Sequence, residues 1–154
     1  MSDAERFRGA LDRILELVVL LNQDMTQSLA ERGLTVSRAT VLWTLRGTGP
    51  SPQRDLAAAL GVTARTVTGL VDGLAAAGLV TREPHPSDRR ATLVTLSRAG
   101  ADVVATLERE QAELGEQLFG AMPRARFDGL VAGLDDVLAT LHRLGLAHRP
   151  GETS

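Results

Sequence analysis

Between Ser51 and Gly100 the chain reads SPQRDLAAALGVTARTVTGLVDGLAAAGLVTREPHPSDRRATLVTLSRAG, two short helical patterns followed by two strand patterns. Ser51-Pro52 reads as a helix N-cap with proline at the first helical position, where its missing N–H is no loss. Leu56, Ala57 and Leu60 continue that helix. Gly61 follows, where the chain must leave the helix in the left-handed region. Val62 packs in the turn and Thr63 caps the next helix. Val67, Leu70, Val71 and Leu74 recur at helical spacing, so one face of this second helix is buried, and Gly78 ends it. Leu79–Arg82 and Ala91–Leu96 read as strands around a loop, Glu83–Arg90, that holds Pro84, Pro86, Ser87 and Asp88.

Helix, tight turn, helix and hairpin form the layout of a winged helix-turn-helix, which sets its second helix in the DNA major groove and a basic loop on the flanking backbone. The expected recognition helix runs from Thr63 to about Ala77. Thr63, Arg65, Thr66 and Thr68 stand near its start on the polar face, where hydroxyls and a guanidinium reach bases and phosphates. Ser51 joins them as a candidate contact at the start of the preceding helix. Arg89 and Arg90 at the hairpin tip have no core to serve. Asp88, two residues before Arg90, is expected to orient its guanidinium through a charge-assisted hydrogen bond. Plainer readings exist for each. A helix needs Thr63 as a cap with or without DNA, Thr66 and Thr68 suit any exposed surface, and a surface ion pair in a solvated hairpin contributes little.

The stretch from Thr63 to Gly100 resembles the signature region of the MarR family of transcriptional regulators. The matching elements are TVT-x-LVD-x-L in the recognition helix, GLV-x-R at the turn into the wing, and P-x-DRR-A-x-LV-x-L on the return strand. Length and flanking helices extend the resemblance over essentially the whole chain. It implies a homodimer on a pseudo-palindromic operator, commonly a repressor, often released by a small ligand or by oxidation. Gly69 and Gly73 depart from the pattern, because many members carry arginine or another long polar residue there. Each glycine should cost the helix about 1 kcal/mol against alanine, and their smallness leaves more of the affinity to the wing. Effectors in the family commonly bind between the dimer helices and the DNA-binding lobe. Leu21, Met25 and Trp43 are the candidate lining residues here, and a plain helical core would contain the same three. With no tyrosine and few polar residues on the apolar stripes, the expected effector is hydrophobic or aromatic.

The flanks are helical. Phe7, Leu11, Ile14, Leu15, Val18, Leu21, Met25 and Leu29 recur every three or four residues on one long amphipathic helix from Asp3. Ser37 reads as the cap of a shorter helix with Val41, Leu42 and Leu45. Ser97 caps a third, with Val103, Val104, Leu107, Leu114 and Leu118. Pro123 starts the last, with Phe127, Leu130, Val131, Leu134, Val137, Leu138, Leu141 and Leu144. Residues 1–154 are thus read as a single, mainly α domain with a small β-hairpin wing. Residues 37–97 form its DNA-binding lobe, and 3–32 and 98–146 form dimerisation helices. Interdigitation of these helices between two subunits would set the recognition helices roughly 34–36 Å apart, one turn of DNA. The alternative is a last helix folded back on its own subunit.

Composition sets further bounds. The net charge is −2, yet from Ser51 to Arg98 six arginines (54, 65, 82, 89, 90, 98) face four acids (55, 72, 83, 88), so this segment carries +2 and the rest −4. Local field, not total charge, sets a binding surface. All 17 basic residues are arginine, so every charged phosphate contact falls to a guanidinium. Cysteine is absent, which excludes disulfides, thiolate zinc sites and cysteine-based peroxide sensing. No apolar run reaches about 18 residues, and the first helix carries acids unlike a signal peptide. The expectation is a cytoplasmic protein with no membrane partner.

Enzyme readings find no support. There is no G-x-S-x-G, no glycine-rich phosphate loop and no cysteine nucleophile. His85, His142 and His148 do not share a helix face, Asp135 and Asp136 are adjacent and point apart, and no metal or cofactor is expected. Two other classes compete with a sequence-specific regulator: a winged helix that docks a protein, and a DNA-binding protein without sequence preference. A protein-docking face should be richer in aromatics than Thr63, Arg65, Thr66 and Thr68 make this one.

Overall fold

A computed structural model describes residues 1–145. His148, and residue 146 at the end of the expected dimerisation segment, lie outside the described residues. The chain divides into two compact units, Met1–Thr40 and Val41 onward.

The first unit is dominated by α1 (Asp3–Ala30), opened by a capping box in which Ser2 and Glu5 each satisfy the other's backbone N–H. The helix closes when Leu34 N–H donates to the Leu29 carbonyl at 2.9 Å around Gly33, whose φ is 67°. That is the reversed geometry glycine permits. Leu29, Leu34 and Ala39 are buried, whereas Phe7, Leu11, Leu15 and Val18 are exposed. The next helix, α2, spans Val36–Thr48. Its cap is Thr35, whose hydroxyl accepts from Arg38 N–H at 3.2 Å, and not Ser37 as the sequence pattern suggested. Both hydroxyls suit a cap, and the turn at Gly33 brings the helix start two residues forward.

The second unit holds the rest: β1 (Ser51–Pro52), α3 (Gln53–Leu60), α4 (Ala64–Ala76), β2 (Val80–Pro84), β3 (Thr92–Leu96), α5 (Arg98–Phe119) and α6 (Arg124–Arg143). Its core comprises Val41, Leu42, Leu45, Leu56, Val67, Val71, Leu74, Val80, Val94, Val104 and Leu107. Each such side chain stabilises the fold by roughly 1.5–3 kcal/mol relative to exposure. Of the helical stripes read from α3 and α4, Leu56, Ala57, Val67, Val71 and Leu74 are buried, and Leu60 and Leu70 are half-buried.

The sheet is antiparallel in the order β1-β3-β2, with Ser51 opposite Val94 and the hairpin in register from Val80–Leu96 to Pro84–Thr92. The structure departs from the sequence pattern at both edges of this sheet. The strand β1 occupies the place read as a helix cap, and Pro52, not Ser51, is the residue at the α3 N-cap, without a side-chain bond. Ser51 is 8% exposed, and its hydroxyl donates to the Gly49 carbonyl at 2.9 Å and contacts the Thr48 hydroxyl at 3.0 Å. The hairpin also extends through Glu83 and Pro84, which the sequence assigned to the loop. Pro84 is the last residue of β2, where a proline's missing donor is tolerated.

The wing is anchored at its base by Ser97. Its hydroxyl donates to the Gly78 carbonyl at 2.6 Å and accepts from Gly100 N–H at 3.0 Å, which caps α5 as expected. A β-carbon on Gly100 would stand 2.0 Å from the Leu79 carbonyl oxygen, so only glycine fits that crossing.

The α5 helix buries Gly100, Val104 and Leu107 in its first half. The last helix, α6, starts after Pro123 as expected and buries none of its residues. Among the described residues no helix is long and apolar enough to cross a membrane.

Candidate nucleic-acid interface

The turn between α3 and α4 is fixed by Gly61 in the left-handed region (φ 65°, ψ 39°) and by Val62 N–H donating to the Ala57 carbonyl at 3.0 Å. Thr63 then caps α4, accepting from Thr66 N–H at 3.1 Å. Its own proton goes to the Thr66 hydroxyl at 2.9 Å. Ala64, Arg65, Thr68, Gly69 and Asp72 follow on the exposed face, while Val67, Val71 and Leu74 are buried. Arg65 makes no ion pair among the described residues. Nothing lies within 4 Å of a β-carbon placed on Gly69, so that position offers a smooth surface without reach.

Thr68 behaves differently from Thr63 and Thr66. Its hydroxyl donates to the Ala64 carbonyl at 2.8 Å and accepts from Gln53 Nε2 at 3.1 Å. Gln53 Oε1 accepts in turn from Arg82 Nε and Nη2, at 3.4 and 3.3 Å. Arg82 Nη2 also forms an ion pair with Asp72 Oδ1. Four side chains therefore join the start of α3, the outer face of α4 and the middle of β2. Gln53 was not singled out in the sequence, and Arg82 entered only as the end of the first wing strand, the last residue of the GLV-x-R element and a positive charge. The alternation of β2 was the available signal, because Arg82 shares the face of buried Val80 that looks toward the helices.

At the wing tip, two side-chain acceptors shape the loop. His85 Nδ1 accepts from the backbone N–H groups of Ser87 and Asp88, both at 3.1 Å. Asp88 Oδ1 accepts from Arg90 N–H at 3.0 Å. This corrects the expectation for Asp88: its carboxylate holds the backbone of the turn, and no ion pair to the Arg90 guanidinium is present among the described residues. The physical reason is proximity, since a carboxylate meets the N–H two residues on before a long side chain can fold back to it. Arg89 and Arg90 are exposed, with no acidic partner among the described residues.

The remaining candidates lie on α1 and α2. Leu21 (43% exposed) and Met25 (half-buried) lie on α1 in the first unit, and Trp43 is half-buried on α2 in the second. An open apolar hollow of about 490 Å³ lies at the α5–α6 corner, lined in part by Phe119, Met122 and Phe127. His142, Asp135 and Asp136 are exposed on α6. Among the described residues no group of three His, Cys, Asp or Glu could hold a metal ion.

A helix-turn-helix with its apolar faces buried, followed by an arginine-tipped hairpin, defines a winged-helix protein. The comparisons specify it further. Residues 34–92 match the model of the MarR family. The uncharacterised HTH-type transcriptional regulator Mb0904 of Mycobacterium bovis is 31% identical over 106 residues, 69% of this chain and 74% of that protein. The HTH-type transcriptional repressor NicR of Pseudomonas putida is 36% identical over 91 residues, 57% of this chain and only 58% of NicR. The crystal structure of RV1404 from Mycobacterium tuberculosis superposes with a TM-score of 0.76 at 30% identity, covering 84% of this chain and 90% of that one. The chain belongs to the MarR family.

Proposed function

We propose that this protein is a transcription regulator that binds double-stranded DNA as a homodimer on a pseudo-palindromic operator, acting in the cytoplasm as a repressor. The observation that carries the reading is the pairing of an exposed α4 N-terminal turn, bearing Thr63, Arg65 and Thr66, with Arg89 and Arg90 on a wing whose backbone is held by other groups. The relation to NicR, a transcriptional repressor, supports it. In this reading α4 enters the major groove, where Arg65 contacts a base edge or phosphate. Arg90 enters the minor groove beside the wing, and Arg89 contacts the backbone there. Ser51 is left out, because it is buried and its hydroxyl is engaged within the protein.

The homodimer is supported by exposed apolar side chains. Leu130, Val131, Leu134, Val137, Leu138 and Leu141 on α6 are each 36–52% exposed, and Phe7, Leu11, Leu15 and Val18 on α1 are more so. Apolar surface of that extent marks a surface made for a partner, and two copies sharing it would bury an obligate-type interface.

Fluorescence anisotropy tests the reading directly. The purified protein is titrated onto a duplex from the intergenic DNA upstream of its own gene and onto a scrambled duplex, across a salt series. The expected result is salt-sensitive binding with a preference of about a thousandfold or more for the native duplex. A random-library selection covers an operator located elsewhere. Equal, weak binding to every duplex would leave a protein-docking or non-specific winged helix.

A further inference from the structure

The structure assigns Arg82 and Gln53 as positioning residues that lock the wing strand to the recognition helix, with Asp72 as the counter-charge. This inference rests on the DNA-binding reading above and names a part of the machinery that does not itself touch DNA. Arg82 stands at the centre of β2, opposite Val94. Its guanidinium spans two acceptors on two different helices: Asp72 Oδ1 on α4, and Gln53 Oε1 at the first residue of α3. Gln53 then turns its amide to Thr68, one helical turn before Asp72 on the same face of α4. The planar fork of arginine suits such a span, and a lysine ammonium on a flexible stem does not.

Exposure decides what this network is for. The side chains of Arg82 and Asp72 are 36% and 61% exposed, and an ion pair so open to solvent adds little to stability. What it does fix is geometry. Binding through both grooves requires α4 and the wing tip to meet DNA at one set spacing, and a misplaced contact is lost at either end. The same network weakens Arg82 as a phosphate contact, because its charge is neutralised by Asp72 and its Nε and Nη2 groups already have acceptors. It also places Thr68 as a support, since its hydroxyl bridges the Ala64 carbonyl of α4 to Gln53 on α3, whereas Thr63 and Thr66 bond only within the first turn of α4.

Asp72→Asn, Arg82→Lys and the double variant of the full-length protein provide the test, each compared with wild type on the selected operator and on random duplex. Arg82→Lys keeps the positive charge and removes the fork. The expected result is a loss of operator affinity of about tenfold for each single variant, with the double variant no worse than either. The slope of log affinity against log salt should stay at the wild-type value, because no phosphate contact is removed. If Arg82→Lys binds like wild type, or if Asp72→Asn binds more tightly by freeing a cation, Arg82 is a DNA contact and the proposal is overturned. Amide hydrogen exchange of Val80–Glu83 in the absence of DNA reads the lock separately. Several-fold faster exchange in both single variants, with the core amides of α5 unchanged, supports it, and unchanged exchange overturns it. Wild-type protein that prefers no duplex would instead refute the DNA-binding reading, while the exchange measurement still judges the lock.

Discussion

Replacing Asp88 by asparagine separates the two jobs a carboxylate can do in the wing. If it oriented the Arg90 guanidinium by charge, the neutral amide would lose that role. Because its Oδ1 accepts the Arg90 backbone N–H, the asparagine carbonyl oxygen can take over the same bond. Asp88→Asn should therefore retain operator affinity within about threefold, whereas Asp88→Ala should lose the turn and about 1 kcal/mol of binding, the usual size of one hydrogen bond. Titration of both variants on one duplex checks this. The arginines divide by what they read. Arg65→Ala should lower the preference for operator over random DNA. Arg89→Ala should weaken binding to both and reduce the salt slope by about one. Equal effects of the two substitutions on both duplexes would remove the distinction. At this scale the sequence was informative about residue type and less so about partners. Thr63 and Ser97 were legible as caps because a hydroxyl bonds an N–H three residues away. Asp88, Thr68 and Gln53 were not, because their partners depend on how the turn and the strand come to rest.

Elements were legible where a period repeats and obscure where it does not. The α3 and α4 stripes recur over two or more turns, and the structure buries Leu56, Ala57, Val67, Val71 and Leu74 and half-buries Leu60 and Leu70. Two-residue β1 has no room for alternation and contains a proline, so its pairing with β3 becomes visible only once β3 is placed. Two glycines in this region behave in opposite ways. Gly69 lies mid-helix with open space where a β-carbon would go, so Gly69→Ala should stabilise the protein by about 1 kcal/mol through helix propensity. Thermal denaturation should show a rise of about 2–4 °C for a chain of this size. Gly100 sits where α5 crosses the end of the strand-leading turn, with the Leu79 carbonyl in the way. Gly100→Ala must displace that backbone, and since the Ser97 amide also donates to the Leu79 carbonyl, the base of the wing would shift with it. A loss of about 1–3 kcal/mol, the range for overpacked sites, is expected in the same melt. A neutral Gly100→Ala would mean the junction is more compliant than its geometry indicates.

For the whole molecule, the decisive feature is that α6 carries an apolar stripe and buries none of it. The stripe itself was plain in the sequence at three- and four-residue spacing. What covers it was not, since the same pattern serves a helix folded onto its own chain and one that meets a second copy. Among the described residues the first option is unfilled, and the absence of burial turns the stripe into a prediction about association. Leu134 lies in the middle of it and is 41% exposed. A glutamate there would meet solvent in an isolated subunit and cost the fold little, but within a shared apolar interface it would be an uncompensated buried charge, a loss of about 3–5 kcal/mol or more. Leu134→Glu is therefore expected to shift sedimentation from dimer to monomer at micromolar concentration. Circular dichroism should retain the helical signal of the winged lobe, whose core lies elsewhere in Val67, Val71, Leu74 and Val94. DNA binding should fall much further than any single contact residue accounts for, because a monomer reaches one half-site and forfeits the second, roughly one helical turn away. A variant that stays dimeric would place the interface on other helices. A variant that loses its helical signal along with dimerisation would show that subunit folding and association are one event, as in obligate dimers.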